Sequence, residues 1–97
     1  MSQQVKVTLK YYNLVRETTH QVSESLAVEA GSTWMEVIEG LCRRYGPQFG
    51  LLVMPQPGRL NPQLRVFSDG HILLDDRLKE PVTEGAELSF FSAISGG

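Results

Sequence analysis

The 97-residue chain is poor in the residues that most small functional domains rely on. A single cysteine excludes an internal disulfide and a four-thiolate iron–sulfur cluster. Two histidines, His20 and His71, stand far from each other and from Cys42, so no group at metal-ligand spacing emerges. Nine Lys and Arg against eleven Asp and Glu leave a formal charge of −2, without the basic stripe that phosphate backbones require, so nucleic acid is not expected as a partner. No apolar run approaches the ~18 residues of a membrane span, and Met-Ser-Gln-Gln-Val-Lys is not a charged segment followed by an apolar block. The expected location is cytoplasmic, with no membrane partner. There is no Gly-rich phosphate loop and no paired acid–base constellation. The length suits one domain over 1–97.

What is present is regular. Val5, Val7, Leu9 and Tyr11 alternate with Lys6, Thr8, Lys10 and Tyr12, a period-two strand with one buried face. Asn13 to His20 reads as a polar interruption. Val22, Leu26 and Val28 then resume the alternation, weakened by Glu24, as a hairpin partner. Trp34, Val37, Ile38, Leu41, Cys42 and Tyr45 recur at helical spacing, with Glu36, Glu39, Arg43 and Arg44 opposite. Thr33 and Glu36 form a capping box, Arg43 and Arg44 suit the last turn, and Gly46-Pro47 ends the run. Gly40 inside the helix marks either a close backbone approach or a tolerated glycine.

Residues 48–63, with Pro55, Pro57, Gly58 and Pro62, read as a long connection. Leu64 to Phe67 is a strand, Asp69-Gly70 a two-residue hairpin turn, and His71 to Leu74 the returning strand. Glu87 to Phe91 is the last strand, with Leu88 and Phe90 on one face and Phe91 left towards solvent. The order predicts an α+β fold with the β-grasp outline: a mixed sheet of four to five strands across one main helix, the first and last strands central and parallel. The expected core is Val5, Val7, Leu9, Leu26, Val28, Trp34, Val37, Ile38, Leu41, Val66, Leu88 and Phe90.

The chain ends on Ser92-Ala93-Ile94-Ser95-Gly96-Gly97. Residues 92–97 read as an exposed tail which, drawn out, reaches roughly 20 Å. Two glycines alone fit an incidental stub equally well. Without Cβ atoms they also fit a channel too narrow for other residues and leave the terminal carbonyl open to attack. Phe91 and Ile94 are costly to expose beside such a tail without a partner. Cys42 is expected as a small buried hydrophobe, His20 and His71 as surface residues near turns, and Arg16 and Glu17 as a solvated charged turn or a contact.

Several segments carry a resemblance. Tyr11-Tyr12-Asn13-Leu14-Val15-Arg16-Glu17, Gly31-Ser32-Thr33, Arg44-Tyr45-Gly46, Pro57 to Pro62, Arg65-Val66-Phe67, Gly85 to Leu88 and Ala93 to Gly97 follow in order and spacing. Over nearly its whole length the sequence resembles the ubiquitin-like sulfur carriers, in particular the small subunit of molybdopterin synthase and the thiamin sulfur carrier type. It departs from them at Val15, which is inserted or shifted, at Asp69-Gly70 where Asn-Gly is usual, at Ala86 in place of an acidic residue, and at Ser92 in place of a proline.

The resemblance implies a carrier, or co-substrate, rather than an enzyme, with no catalytic residue, metal site or bound cofactor of its own. An E1-like adenylating enzyme would use ATP to activate the Gly97 carboxylate. A sulfur donor protein would convert it to a thiocarboxylate. A large sulfur-using subunit of molybdopterin synthase type would receive the sulfur for molybdenum cofactor biosynthesis. Ser95, Gly96 and Gly97 would enter the partner's active site, with Phe91, Ala93 and Ile94 binding its surface. Sulfur delivery to thiamin or another pathway, conjugation to protein lysines, and a non-covalent β-grasp module remain alternatives.

Overall fold

Residues 3–92 are described by the computed structural model of the chain. The first alternating run forms β1 (Gln4–Tyr11), with Val7, Leu9 and Tyr11 fully buried on one face. It pairs antiparallel with β2 (Ser23–Glu29), placing Val5 opposite Val28 and Val7 opposite Leu26. Val5, Leu26 and Val28 pack against the core from a partly buried position, consistent with β2 lying at the sheet edge. Val22, expected to begin this strand, lies before it and is exposed.

The expected polar interruption between these strands is instead a short helix, α1 (Asn13–Thr19). Its N-cap, Tyr12, supplies no side-chain hydrogen bond, so the usual starting signal is missing from the sequence. Tertiary contact supplies the stabilisation that propensity does not: Val15 and Thr19 are buried, and the Thr19 hydroxyl donates to Arg16 O or Gln21 O.

The main helix, α2 (Trp34–Tyr45), follows the expected pattern, burying Trp34, Val37, Ile38 and Leu41. Thr33 Oγ1 accepts from the Glu36 amide at 3.2 Å, and Glu36 Oε1 accepts from the Thr33 amide at 2.9 Å. Two further first-turn amides donate outside the helix, Trp34 N to Glu80 O and Met35 N to Leu78 O. These bonds tie the segment before the last strand to the helix start, satisfying donors that a helix leaves unpaired. Gly46, at φ 95°, closes α2. A Cβ on Gly40 would meet only the Arg43 guanidinium at 3.9 Å, so this glycine is tolerated and marks no close backbone approach.

The connection expected over 48–63 contains a further helix, α3 (Pro47–Val53). Proline at its start needs no amide partner, while Phe49 and Val53 are fully buried. Then come β3 (Leu64–Ser68), β4 (His71–Ile72) and, after a 3-10 turn at Asp75–Arg77, β5 (Glu87–Ser92). Asp69 (φ 50°) and Gly70 (φ 85°) make the hairpin between β3 and β4. β4 stops at Ile72 rather than Leu74, because Leu74 leads into the 3-10 turn and its carbonyl accepts from Arg77 N.

The sheet has the order β2-β1-β5-β3-β4, with β1 and β5 parallel at its centre and the other pairs antiparallel. This is the expected β-grasp arrangement, with helices against a mixed five-stranded sheet. Every expected core position packs in the main cluster or directly against it. The cluster also contains Tyr11, Val15, Phe49, Val53 and Leu78, drawn largely from segments that the sequence reading placed in turns and connections.

Candidate functional site: the base of the C-terminal tail

β5 carries the chain towards its C terminus with a neighbour on each side. On one side Thr8 to Tyr11 run in parallel register with Glu87 to Phe90; on the other, Leu64 to Ser68 run antiparallel to Ser92 to Leu88. Ser92, expected as the first tail residue, is the last residue of β5 and faces Leu64. The parallel register sets Tyr11 beside Phe90, and hence Tyr12 beside Phe91, on alternate faces of the sheet.

The inner pair anchors the strand. Phe90 is fully buried and stacks on Tyr11 with ring centroids 5.6 Å apart, while Phe49 meets both rings edge-on. The outer pair forms an aromatic surface: Phe91 and Tyr12 stack at 4.2 Å and 8°, and Phe67 meets Phe91 edge-on at 5.6 Å. Phe91 is therefore half-buried by its neighbours rather than left facing solvent. Arg16 lies 5.8 Å from the Tyr12 ring centroid and donates Nε–H to Tyr11 O at 3.1 Å. The charge at this position thus makes a defined contact within the chain.

Behind the strands, Glu24 joins β1, β2 and α2. Its side chain is 8% exposed; it accepts from Tyr11 Oη–H at 2.6 Å and from Tyr45 Oη–H, and pairs with Arg44 at 3.0 Å. Burial pushes both phenols up from the ordinary tyrosine value, and their hydrogen bonds to Glu24 add to the shift. The Glu24 network fixes Tyr11 from its polar tip, as Phe90 and Phe49 fix its ring.

The family model described as ThiS family matches residues 9–97. This chain belongs to the ThiS family. It is thus a ubiquitin-like β-grasp sulfur carrier, a class whose small members serve as co-substrates rather than enzymes. Solved structures share the fold, and three of them illustrate it. The Haloferax volcanii HVO 2177 protein is 23% identical with a TM-score of 0.77, covering 97% of this chain and 88% of its own. Small archaeal modifier protein 1 of the same organism is 19% identical with a TM-score of 0.76, over 93% of this chain and 99% of its own. A Pyrococcus furiosus protein titled as putative molybdopterin converting factor, subunit 1, is 18% identical with a TM-score of 0.74, over 93% and 99%. Comparison with curated protein sequences finds no match.

In this ThiS-family chain, Phe91 is the expected contact residue that falls within the described part. Ala93, Ile94, Ser95, Gly96 and Gly97 lie outside it. The other chemistry-bearing side chains stand apart from the tail base. His20 caps α1 at φ 60°, and His71 opens β4; both are exposed. Cys42 is half-buried, and its thiol is pushed up by burial and then by nearby Glu39, against a lowering by Arg43. That environment suits a packing role better than a nucleophile.

Among the described residues, no group of three or more His, Cys, Asp or Glu side chains could hold a metal. None of their helices is long and apolar enough to cross a membrane. Sequence reasoning missed the Tyr12–Phe91–Phe67 surface and the inward role of Glu24. Glu24 shares strand phase with Leu26 and Val28, a visible signal, but its tyrosine and arginine partners come from other elements.

Proposed function

We propose that this protein carries activated sulfur as a thiocarboxylate on Gly97. The observation that carries the reading is the position of the Gly-Gly end five residues beyond a central strand held on both sides. A rigid base beside a chain end without side chains suits delivery of one carboxylate into another protein's active site. A carboxylate is a poor electrophile. An adenylating partner would join it to the AMP portion of ATP with release of pyrophosphate. Attack at the acyl carbon by the terminal sulfur of a donor-protein persulfide would then expel AMP and form an acyl disulfide, and a second thiol of the partner proteins would cleave its S–S bond, leaving the thiocarboxylate on Gly97 and a disulfide on the partners. The ATP site belongs to that partner.

The tail of this single 97-residue domain would enter the partner through Ser95, Gly96 and Gly97. Phe91, with Tyr12 and Phe67 around it, would form the apolar contact at its base, continued by Ala93 and Ile94. The family match supports sulfur donation as a class, to thiamin or another biosynthetic intermediate, ahead of any one recipient. The Pyrococcus relative favours a pterin precursor and a molybdopterin synthase large subunit within that class. The archaeal modifier protein favours a second reading, conjugation to lysines through the same activated glycine.

Incubation with the adenylating enzyme from the same genome, ATP and a sulfur source should exchange one Gly97 oxygen for sulfur, read by mass spectrometry of the terminal peptide. Deleting Gly97 should abolish the exchange, and Gly96→Ala should slow it ~100-fold with folding intact. An unmodified tail, with the enzyme active on another carrier, would overturn the reading. The fate of the thiocarboxylate separates the recipients: free carrier with sulfur in a small molecule, or an isopeptide bond to lysine.

A further inference from the structure

The two edges of the sheet differ. β4, on one side, is two residues long, whereas β2, on the other, runs for seven. Shortness, lysines, prolines and bulges keep a sheet edge from pairing with another chain. β2 has none of them: it contains no Lys or Pro, and its register with β1 is unbroken from Lys10 opposite Ser23 to Gln4 opposite Glu29. Its inward charge, Glu24, is answered within the chain by two phenols and Arg44.

Hydrogen-bond direction shows which backbone groups stay open at this edge. Tyr11 N donates to Val22 O, and Ala30 N to Gln3 O, one bond at each end of the β1–β2 register. Direction alternates along an antiparallel pair, so Glu24, Leu26 and Val28 turn their amides and carbonyls to β1, and Ser23, Ser25, Ala27 and Glu29 turn theirs away from the sheet. Glu29 O accepts from Ser32 N at 3.0 Å; among the described residues nothing bonds to the backbone of Ser23, Ser25 or Ala27 in that direction. Their side chains are small and exposed, which leaves room for a strand to approach.

A second copy of β2 supplies a strand that matches. Turned about a twofold axis at the midpoint, Leu26, β2 pairs with its copy over its whole length, with Ser25 opposite Ala27 and Ser23 opposite Glu29. The phase is correct, because each of these opposed residues turns its backbone outward, while Leu26 meets Leu26 as a non-hydrogen-bonded pair, the closer of the two kinds. Leu26 is only partly buried in one copy, and the second covers it. Glu24 meets Val28 rather than another carboxylate. On the outer face Ser23 stands opposite Lys10, so the exposed Glu29 of one copy lies across Ser23 from Lys10 of the other, about 10 Å between Cα atoms and within reach of two long side chains. We infer that β2 is a dimerisation edge, joining two copies of the chain into one continuous sheet. Neither the pairing nor its test involves the Gly97 carboxylate.

Sedimentation equilibrium of the full chain over a range of concentrations should show a concentration-dependent dimer. Ser25→Pro removes an amide that points away from β1 and puts a ring in its place, so it should raise the dissociation constant tenfold or more while circular dichroism stays that of the folded chain. In a Cys42→Ala chain, Leu26→Cys should form an intermolecular disulfide under mild oxidation, since the paired Cα atoms would lie about 4.5 Å apart. Val28→Cys, facing Glu24 of the copy, should not. The crosslink decides the matter if Ser25→Pro does not fold. A wild-type chain that is monomeric at every concentration, as it would be if the edge takes a strand of another protein, would overturn the dimer. So would a folded Ser25→Pro chain that dimerises like the wild type, or a Leu26→Cys dimer that fails to crosslink.

Discussion

Glu24 shows how much one side chain can organise. On an edge strand, a carboxylate among apolar neighbours would be costly unless its oxygens were satisfied, and two phenols and Arg44 satisfy them. Glu24→Ala should cost about 1–3 kcal/mol in urea unfolding, because Tyr11 loses its acceptor inside the protein, whereas Glu24→Gln should keep most of the stability. The same network makes a pH prediction. The Tyr11 hydroxyl is held well above its ordinary value of 10.0, first by burial and then by its hydrogen bond to Glu24, while an unfolded tyrosine ionises near 10.0. Its contribution is fully present below the unfolded value and falls as pH rises above it, since only the unfolded chain then releases the proton. Stability should decline above about pH 10, with Tyr11 ionising on unfolding, and Tyr11→Phe should flatten that decline. Ultraviolet absorbance of tyrosinate, followed together with circular dichroism, checks both.

Among the elements, α2 was legible and the two short helices were not. α2 carries its own start and stop signals, an apolar face long enough to show its period, and a reciprocal cap. Ile38→Ala should therefore cost about 2–5 kcal/mol, and an unchanged unfolding midpoint would contradict the buried face. Thr33→Ala should cost about 1 kcal/mol. At seven residues each, α1 and α3 are too short to show periodicity or to persist alone, and neither has a side-chain N-cap. Their stability comes from Val15, Phe49 and Val53 packing into the core. Phe49→Ala should cost about 3–5 kcal/mol, and hydrogen exchange should speed across α3.

Across the molecule, β5 divides its faces between the core and an outer aromatic surface. Phe90 belongs to the core, and Phe91 to the outer surface with Tyr12 and Phe67. Removing residues 93–97 should leave the unfolding midpoint within error of the full chain, because the described residues already form a core cluster that joins the sheet to its helices. Phe91→Ala should weaken binding to the adenylating enzyme in calorimetry by about 1 kcal/mol or more, in the range of a buried aromatic contact. Unchanged affinity would move the partner surface elsewhere.

The sequence by itself determined the features written in local pattern: the alternation of β1 and β5, the helical face and cap of α2, the Asp69-Gly70 turn, and the strand–helix–strand order that leads to a β-grasp sheet. The terminal Gly96-Gly97 was equally plain as sequence, and the proposed role for it rests on side chains it does not have. Tertiary structure decided what depends on distant partners. Whether 13–19 and 47–53 became helices rested on burial that their own spacing does not announce. Parallel pairing of β1 with β5, about eighty positions apart, together with antiparallel pairing of β3 with β5, made a surface from Tyr12, Phe91 and Phe67. Glu24 reads as a flaw in a strand until Tyr11, Tyr45 and Arg44 surround it; its acceptor oxygens need donors that only folding brings within reach.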